Sequence, residues 1–589
     1  MKQKHCKLSY FVFILTLFLS IQTVFAGETN IVSLSDVEPN AYSVLAGAVQ
    51  SDVVKTSYGC VAVCEGRMIT GFSKDGAVLW QKAATARPKP FISAGPGDIL
   101  CIVTGSSTVQ LLSPTGLSIW KNDARESVNE APLFGWDGRI FARTKNAVFC
   151  WGLNGIQKWK LALSDQDTNI PLVQLNDGSL LAFLTKKDGT HSVASHISPF
   201  GRLLNEVTFS GAVLQAASCS EGVLLVFNDG SIGLCKATHD SKTQEASLES
   251  RWRYTLGQGQ KTLCISDTTP STVTVINAGL SASSEITVLN CADGSEKKSY
   301  CAQDVNGARL IYLQQTVHGL VLADTQQAAC YDINGHELWC AKLNAKKSWT
   351  KLFATDSGYL VLCGNDWTVS AYRMIQGVRT QENQFGQNNT KSYEAYYRPV
   401  SLLSMRESNA DDIYKALKAG NYGEQEALWL SYLTQELSEL NNAYTATNTP
   451  TTEKPWFLTQ PAYAETVLNL ISQTGTAVFQ KTLARMLTTV KDPQILLCLV
   501  RSAKNLGFDG DGSMLLALEG VLRESSASAN VLLMKEVCDA IVQICRYMGR
   551  PAYFRHGEDM LKTLLMPSYD SRIRDYALQT LKTLAQLSI

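Results

Sequence analysis

Cys60 and Cys64, with three residues between them, offer two thiolates at the spacing of half a metal site. A closed tetrahedral site needs two more cysteine or histidine ligands. Neither a histidine nor a second cysteine pair lies near them in sequence. Asp509 and Asp511, in "GFDGDGS", begin a pattern of carboxylates and glycines that suits calcium. The twelfth position of such a loop should carry a bidentate glutamate, and here it is Gly520. Asp511 or Ser513 therefore reads as the cap of a following helix. Cys538 and Cys545 stand seven apart in a helical pattern, share a face, and read as core thiols. Seven histidines in 589 residues is a small supply of general bases. No phosphate-binding glycine loop, zinc-protease motif or serine nucleophile elbow occurs. These residues nominate no catalytic group, no cofactor ligand and no metal ligand.

One further pattern could bear chemistry. Tryptophan follows a turn glycine by four residues at Gly76 and Trp80, Gly116 and Trp120, Gly155 and Trp159, and Gly335 and Trp339. Trp252 belongs to the same series, its turn replaced by the polar loop "THDSKTQEAS". An indole can stack on a flat cofactor, but five evenly repeated copies describe a scaffold rather than a single site. The turn glycines run 76, 116, 155, 201, 294 and 335, at intervals of 40, 39, 46, 93 and 41, the longest being two units. Asp-Gly and Asn-Gly pairs accept the positive φ that a two-residue hairpin needs. Short strands precede each turn, the eighth being "WTVSAY" at 367–372. Four strands per ~40 residues, repeated, predict the blades of a β-propeller. The expected fold is therefore mainly β plus α: a propeller of eight blades, with seven as the alternative, followed by helices. "NIVSL" at 30–34 is expected to supply the missing outer strand of the eighth blade and close the ring.

The repeat resembles the pyrroloquinoline-quinone-type propeller family, whose unit reads strand, turn glycine, three residues, tryptophan. That resemblance implies that Trp80, Trp120, Trp159, Trp252 and Trp339 lie on outermost strands and dock on the next blade. Asn205 and Lys298 depart from the pattern at the tryptophan position. Quinone-dependent dehydrogenases of this fold carry an adjacent cysteine pair and an aspartate base beside calcium; the sequence has no Cys-Cys pair and no such carboxylate cluster. The chain is also similar to the propeller scaffold of the outer-membrane β-barrel assembly machine. It departs from that scaffold in lacking a lipid-attachment cysteine and in adding a long helical region.

Residues 1–26 read as a secretory signal peptide: Lys2, Lys4 and Lys7, an apolar run from Tyr10, then Val24-Phe25-Ala26 before Gly27. The run is shorter than the ~20 apolar residues of a membrane span. The propeller is placed at 27–375, a polar linker at 376–392, and an α-helical domain at 393–589. Within the last, "KDPQILLCLVRSAKNLG" and "YDSRIRDYALQTLKTL" resemble HEAT-type helical repeats, and "DDIYKALKAG" at 411–420 reads as a first helix. Lysine plus arginine equals aspartate plus glutamate at 53 each, so no nucleic-acid footprint appears. The sixteen cysteines, of which Cys6 lies in the leader, show no disulfide framework. The reading is a non-catalytic protein-binding scaffold exported to the bacterial periplasm, without cofactor or membrane span, whose partners are other exported or envelope proteins. Its alternatives are a quinone-dependent dehydrogenase and a propeller that takes a small ligand or glycan.

Overall fold

The computed structural model describes residues 31–164, 170–185, 190–239, 246–255, 261–266, 272–278, 284–303, 305–306, 310–344, 347–378, 384–397, 400–402, 425–445, 461–524 and 530–587. The leader at 1–26 and the helix expected at 411–420 lie outside the described residues.

Eight β-sheets follow one another along the chain, so the eight-bladed expectation is borne out. Blades one to seven occupy 54–83, 88–123, 133–162, 173–208, 213–255, 261–302 and 312–342; blade eight occupies 349–373 and borrows one strand from the N-terminus. First strands of adjacent blades pack on one another and so face the ring's centre. Middle strands such as Gly59–Val63 and Leu100–Thr104 are buried throughout, because a neighbouring blade covers each face. Fourth strands such as Ser118–Asp123 and Leu203–Thr208 alternate, with one side toward solvent. Burial on both faces explains why the middle strands read as unbroken apolar runs.

Closure differs from the expectation. Val32–Ser33, the described strand within "NIVSL", pairs in parallel with Glu337–Lys342 as a fifth strand on blade seven. Ala41–Val44 pairs antiparallel with Thr368–Arg373 and is the outer strand of blade eight. The chain start does lock first to last, but through a segment ten residues further on. Antiparallel pairing there repeats the geometry of the other outer strands, whereas the earlier segment runs the wrong way to replace one.

Eight helices are described after the propeller: α1 Gln425–Thr445, α2 Pro461–Gln473, α3 Gln480–Thr489, α4 Pro493–Leu506, α5 Ser513–Glu524, α6 Val531–Met548, α7 Pro551–Thr563 and α8 Ser571–Leu587. Their ends carry local signals. Asp492 accepts from the Gln494 and Ile495 amides ahead of Pro493, and Gly507 ends α4 in the left-handed region. Helices α2, α4, α6 and α8 pack in succession as one layer, and α1, α3, α5 and α7 as a second. That is the stacking of paired helical repeats. One apolar core runs from blades two and three through Tyr393 into all eight helices, so the two parts are packed together.

Candidate functional site at the junction of propeller and helices

The helices sit on the turns between first and second strands, and between third and fourth strands, of blades two to four. In blade three the turn Phe134–Ile140 presents Asp137 and Arg139, whose side chains pair at 2.8 Å. Arg139 also donates to the Pro199 carbonyl at 2.8 Å and lies 3.5 Å from Glu426 of α1. Glu426 meets a second cation, Lys158, at 3.2 Å, and Lys158 donates to the Thr474 carbonyl. Burial pulls the Lys158 ammonium down, while Glu426 favours its charge. All four side chains are at most 3% exposed, so two cations and two anions neutralise each other away from water. Tyr393 seals the cluster. It stacks on Trp136 at 5.7 Å, takes the Arg139 guanidinium over its ring, and accepts from the Trp136 amide. In blade four, burial raises the Asp177 carboxyl, but donors on Ser179, Tyr396 and His239 outweigh it and hold the group below its ordinary range. This arrangement fixes helices to blades.

Beside that junction lies an open cleft of about 1020 Å³. Its propeller wall is the outer hairpin of blade one, with Lys74, Asp75, Leu79 and Trp80. Its helical wall is the start of α7, with Phe554, Arg555 and Glu558. At the floor Arg550 pairs with Asp98, donates to Ser57 Oγ at 3.0 Å and lies over the Tyr58 ring. Tyr58 donates to the Pro114 carbonyl, and burial pushes its phenol up to about 12, so it is no base near neutrality. Among the described residues Arg550 Nε and Ser357 Oγ, both buried and both on cleft-lining residues, have no hydrogen-bond partner. A buried donor without a partner carries a desolvation cost that an incoming acceptor can remove. Charges of both signs on an apolar floor suit a peptide segment better than a single small ion.

The residues nominated from sequence lie elsewhere. Cys60 and Cys64 point into the apolar cluster between blades eight and one, and burial pushes Cys60 up to about 12. Cys538 and Cys545 are buried in α6. Asp509 caps α5, its oxygens accepting from the Met514 and Leu515 amides, while Asp511 accepts from Ser513. Asp509, which the sequence reading did not offer as a cap, thus takes the second and third amides of the helix, and Asp511, one of the two expected candidates, takes the first. All five tryptophans stand on fourth strands. A methyl group on Gly116 would fall 2.8 Å from the Trp80 ring, and on Gly155, at φ 78°, 2.9 Å from Trp120. Gly201 faces Trp159 and Gly294 faces Trp252 in the same way. Trp339 packs with Leu352, Leu360 and Leu362 of blade eight. Where Lys298 replaces tryptophan, Tyr300 lies against Gly335 instead; where Asn205 does, its amide oxygen meets His196 Nδ1 at 3.0 Å.

Sequence reading passed over Asp98, Asp137, Arg139, Lys158, Glu426 and Arg550. A signal existed for the propeller side: Gly97, Gly138 and Gly178 form a second glycine series at intervals of 41 and 40, in the turns that face the helices.

No curated protein sequence matches the chain. Among solved structures, BamB from Moraxella catarrhalis aligns over 58% of this chain and 99% of its own, at 14% identity and a TM-score of 0.38. Sqt1 from Chaetomium thermophilum aligns over 57% and 98%, at 10% identity and a TM-score of 0.41. The Pan2 WD40 domain of Neurospora crassa aligns over 49% and 90%, at 9% identity and 0.33. The family described as outer membrane protein assembly factor BamB matches residues 65–189, which run from blade one into blade four. With the eight sheets, that match bears out the resemblance to quinone-type propeller repeats read from the glycine and tryptophan spacing: over these blades the chain is similar to the BamB assembly factors.

Proposed function

We propose that this protein is an exported, non-catalytic scaffold of the bacterial envelope that holds other proteins, in the manner of an outer-membrane protein assembly factor. One observation carries the reading: the blades similar to that family supply one wall of a cleft whose floor keeps buried polar groups without partners. The helices supply the other wall, so a partner seated there touches both parts at once. The five tryptophans serve, on this reading, as docks that keep the ring rigid beneath it. Rigid presentation favours binding because little order is lost on association.

Chemical crosslinking in the native cell, followed by purification of the full chain, tests the proposal. Defined envelope proteins should be recovered in crosslinked bands. Recovery of a small molecule or glycan alone would overturn it, as would dye-linked alcohol or sugar oxidation when quinone and calcium are supplied.

A further inference from the structure

Blades five and six meet at two cysteines that come from different repeats, one on a strand and one in a turn. Cys219 ends the first strand of blade five, Val213–Cys219, and Cys291 opens the turn after Ser284–Asn290 in blade six. Their thiols hydrogen-bond to each other. Cys291 belongs to the inter-blade apolar cluster of Leu224, Ile232, Val273 and Leu289, and Cys219 packs against that cluster. Cys219 is partly exposed, whereas Cys291 is 1% exposed. One thiol is therefore within reach of a reagent and the other waits behind it.

We propose that Cys219 and Cys291 form a disulfide that staples blade five to blade six when the protein meets a disulfide oxidant. The sites are suited to thiol–disulfide exchange. The Cys291 thiol draws Cys219 below the ordinary thiol range, against burial and with help from the Glu221 and Gly222 amides, which favours its thiolate. Cys60 and Cys538, pushed up to about 12 by burial, are inert by comparison. With glutathione disulfide as oxidant, the Cys219 thiolate attacks one sulfur, the S–S bond breaks, and one glutathione thiolate leaves. Cys291 then gives its proton to solvent and attacks Cys219 Sγ, expelling the second glutathione thiolate. The two protein thiols lose two electrons and two protons, and the oxidant becomes two glutathione molecules.

The pair spans a long stretch of chain, so the bond removes much freedom from the unfolded state. It also lies beside a tryptophan contact: Trp252 Nε1 donates to the Cys291 carbonyl at 2.8 Å. Cys301, exposed, supplies an internal control that should stop at a mixed disulfide.

Reduced full-length protein treated with glutathione disulfide, then alkylated in denaturant and digested, tests the inference by peptide mass. A peptide linking Cys219 to Cys291 should appear, vanish with dithiothreitol, and be missing from Cys291→Ser, in which Cys219 should hold glutathione. The thermal midpoint of wild type should rise by several degrees on oxidation, and that of Cys291→Ser should not. Alkylation of both cysteines in oxidised wild type, or Cys219 persisting there as a glutathione adduct, would overturn the proposal.

Discussion

Asp509 shows how a residue can look like a ligand and serve as a fastener. Its carboxylate is fully buried, and burial pushes it up to about 7 although the Met514 and Leu515 amides favour the charge. An unfolded aspartate titrates near 4. Between about pH 4 and 7 the folded chain therefore binds the extra proton, so this residue's contribution to stability falls as pH rises through that window and is flat above it. Asp509→Asn should keep an accepting oxygen for the helix amides and abolish that decline, on the order of a few kcal/mol at pH 8. Denaturant midpoints at pH 5 and 8 measure it; an unaltered pH slope in the variant would contradict the assignment. Glu426 makes a different case, since it is buried between two cations, Arg139 and Lys158. Glu426→Ala strands Arg139 and Lys158 without their shared anion and should cost roughly 3–5 kcal/mol, the scale of a broken buried pair. A loss below about 1 kcal/mol would show that solvent reaches the cluster.

At the scale of elements, most blades were legible because local chemistry sets them. Asp75-Gly76 and Asn154-Gly155 permit one kind of turn, and Trp80 and Trp120 stand where the next blade's glycine leaves room. Tyr300 was not legible: Lys298 holds the tryptophan register opposite Val288, as Trp80 does opposite Gly71, and the aromatic residue two positions further along the same strand fills the place against Gly335. Closure escaped for a similar reason. "NIVSL" and "AYSV" are both short and half-apolar, and only pairing direction separates them. Their loads differ. Removing 31–35 deletes two paired residues and the buried Leu34, and should cost about 2–4 kcal/mol. Removing 31–45 also takes Leu45 and opens an edge on blade eight, and should abolish a cooperative melt and promote aggregation. Equal melting curves for the two truncations would refute the assignment of Ala41–Val44 as the closing strand.

At the scale of the whole molecule, the helical region is the feature least legible in sequence, in placement rather than in kind. Helical periodicity and caps such as Asp492 announce the helices one by one. What seats them on blades two to four is charge pairing between residues as far apart as Arg139 and Glu426, which no local pattern records. The segment after the propeller takes part as well: Asn388 and Tyr393 are buried in the junction. Propeller and helices thus present one composite surface, and the cleft exists only because they are joined. A photo-crosslinking side chain placed at Leu79, 51% exposed in that cleft, tests the central claim most directly, with Leu203, 44% exposed on the outer strand of blade four, as the control. Installed in the full-length protein in its native cell, the Leu79 probe should trap one or a few defined envelope proteins that the Leu203 probe does not. The same adducts from both positions, or no protein adduct at Leu79, would contradict a docking role for the cleft.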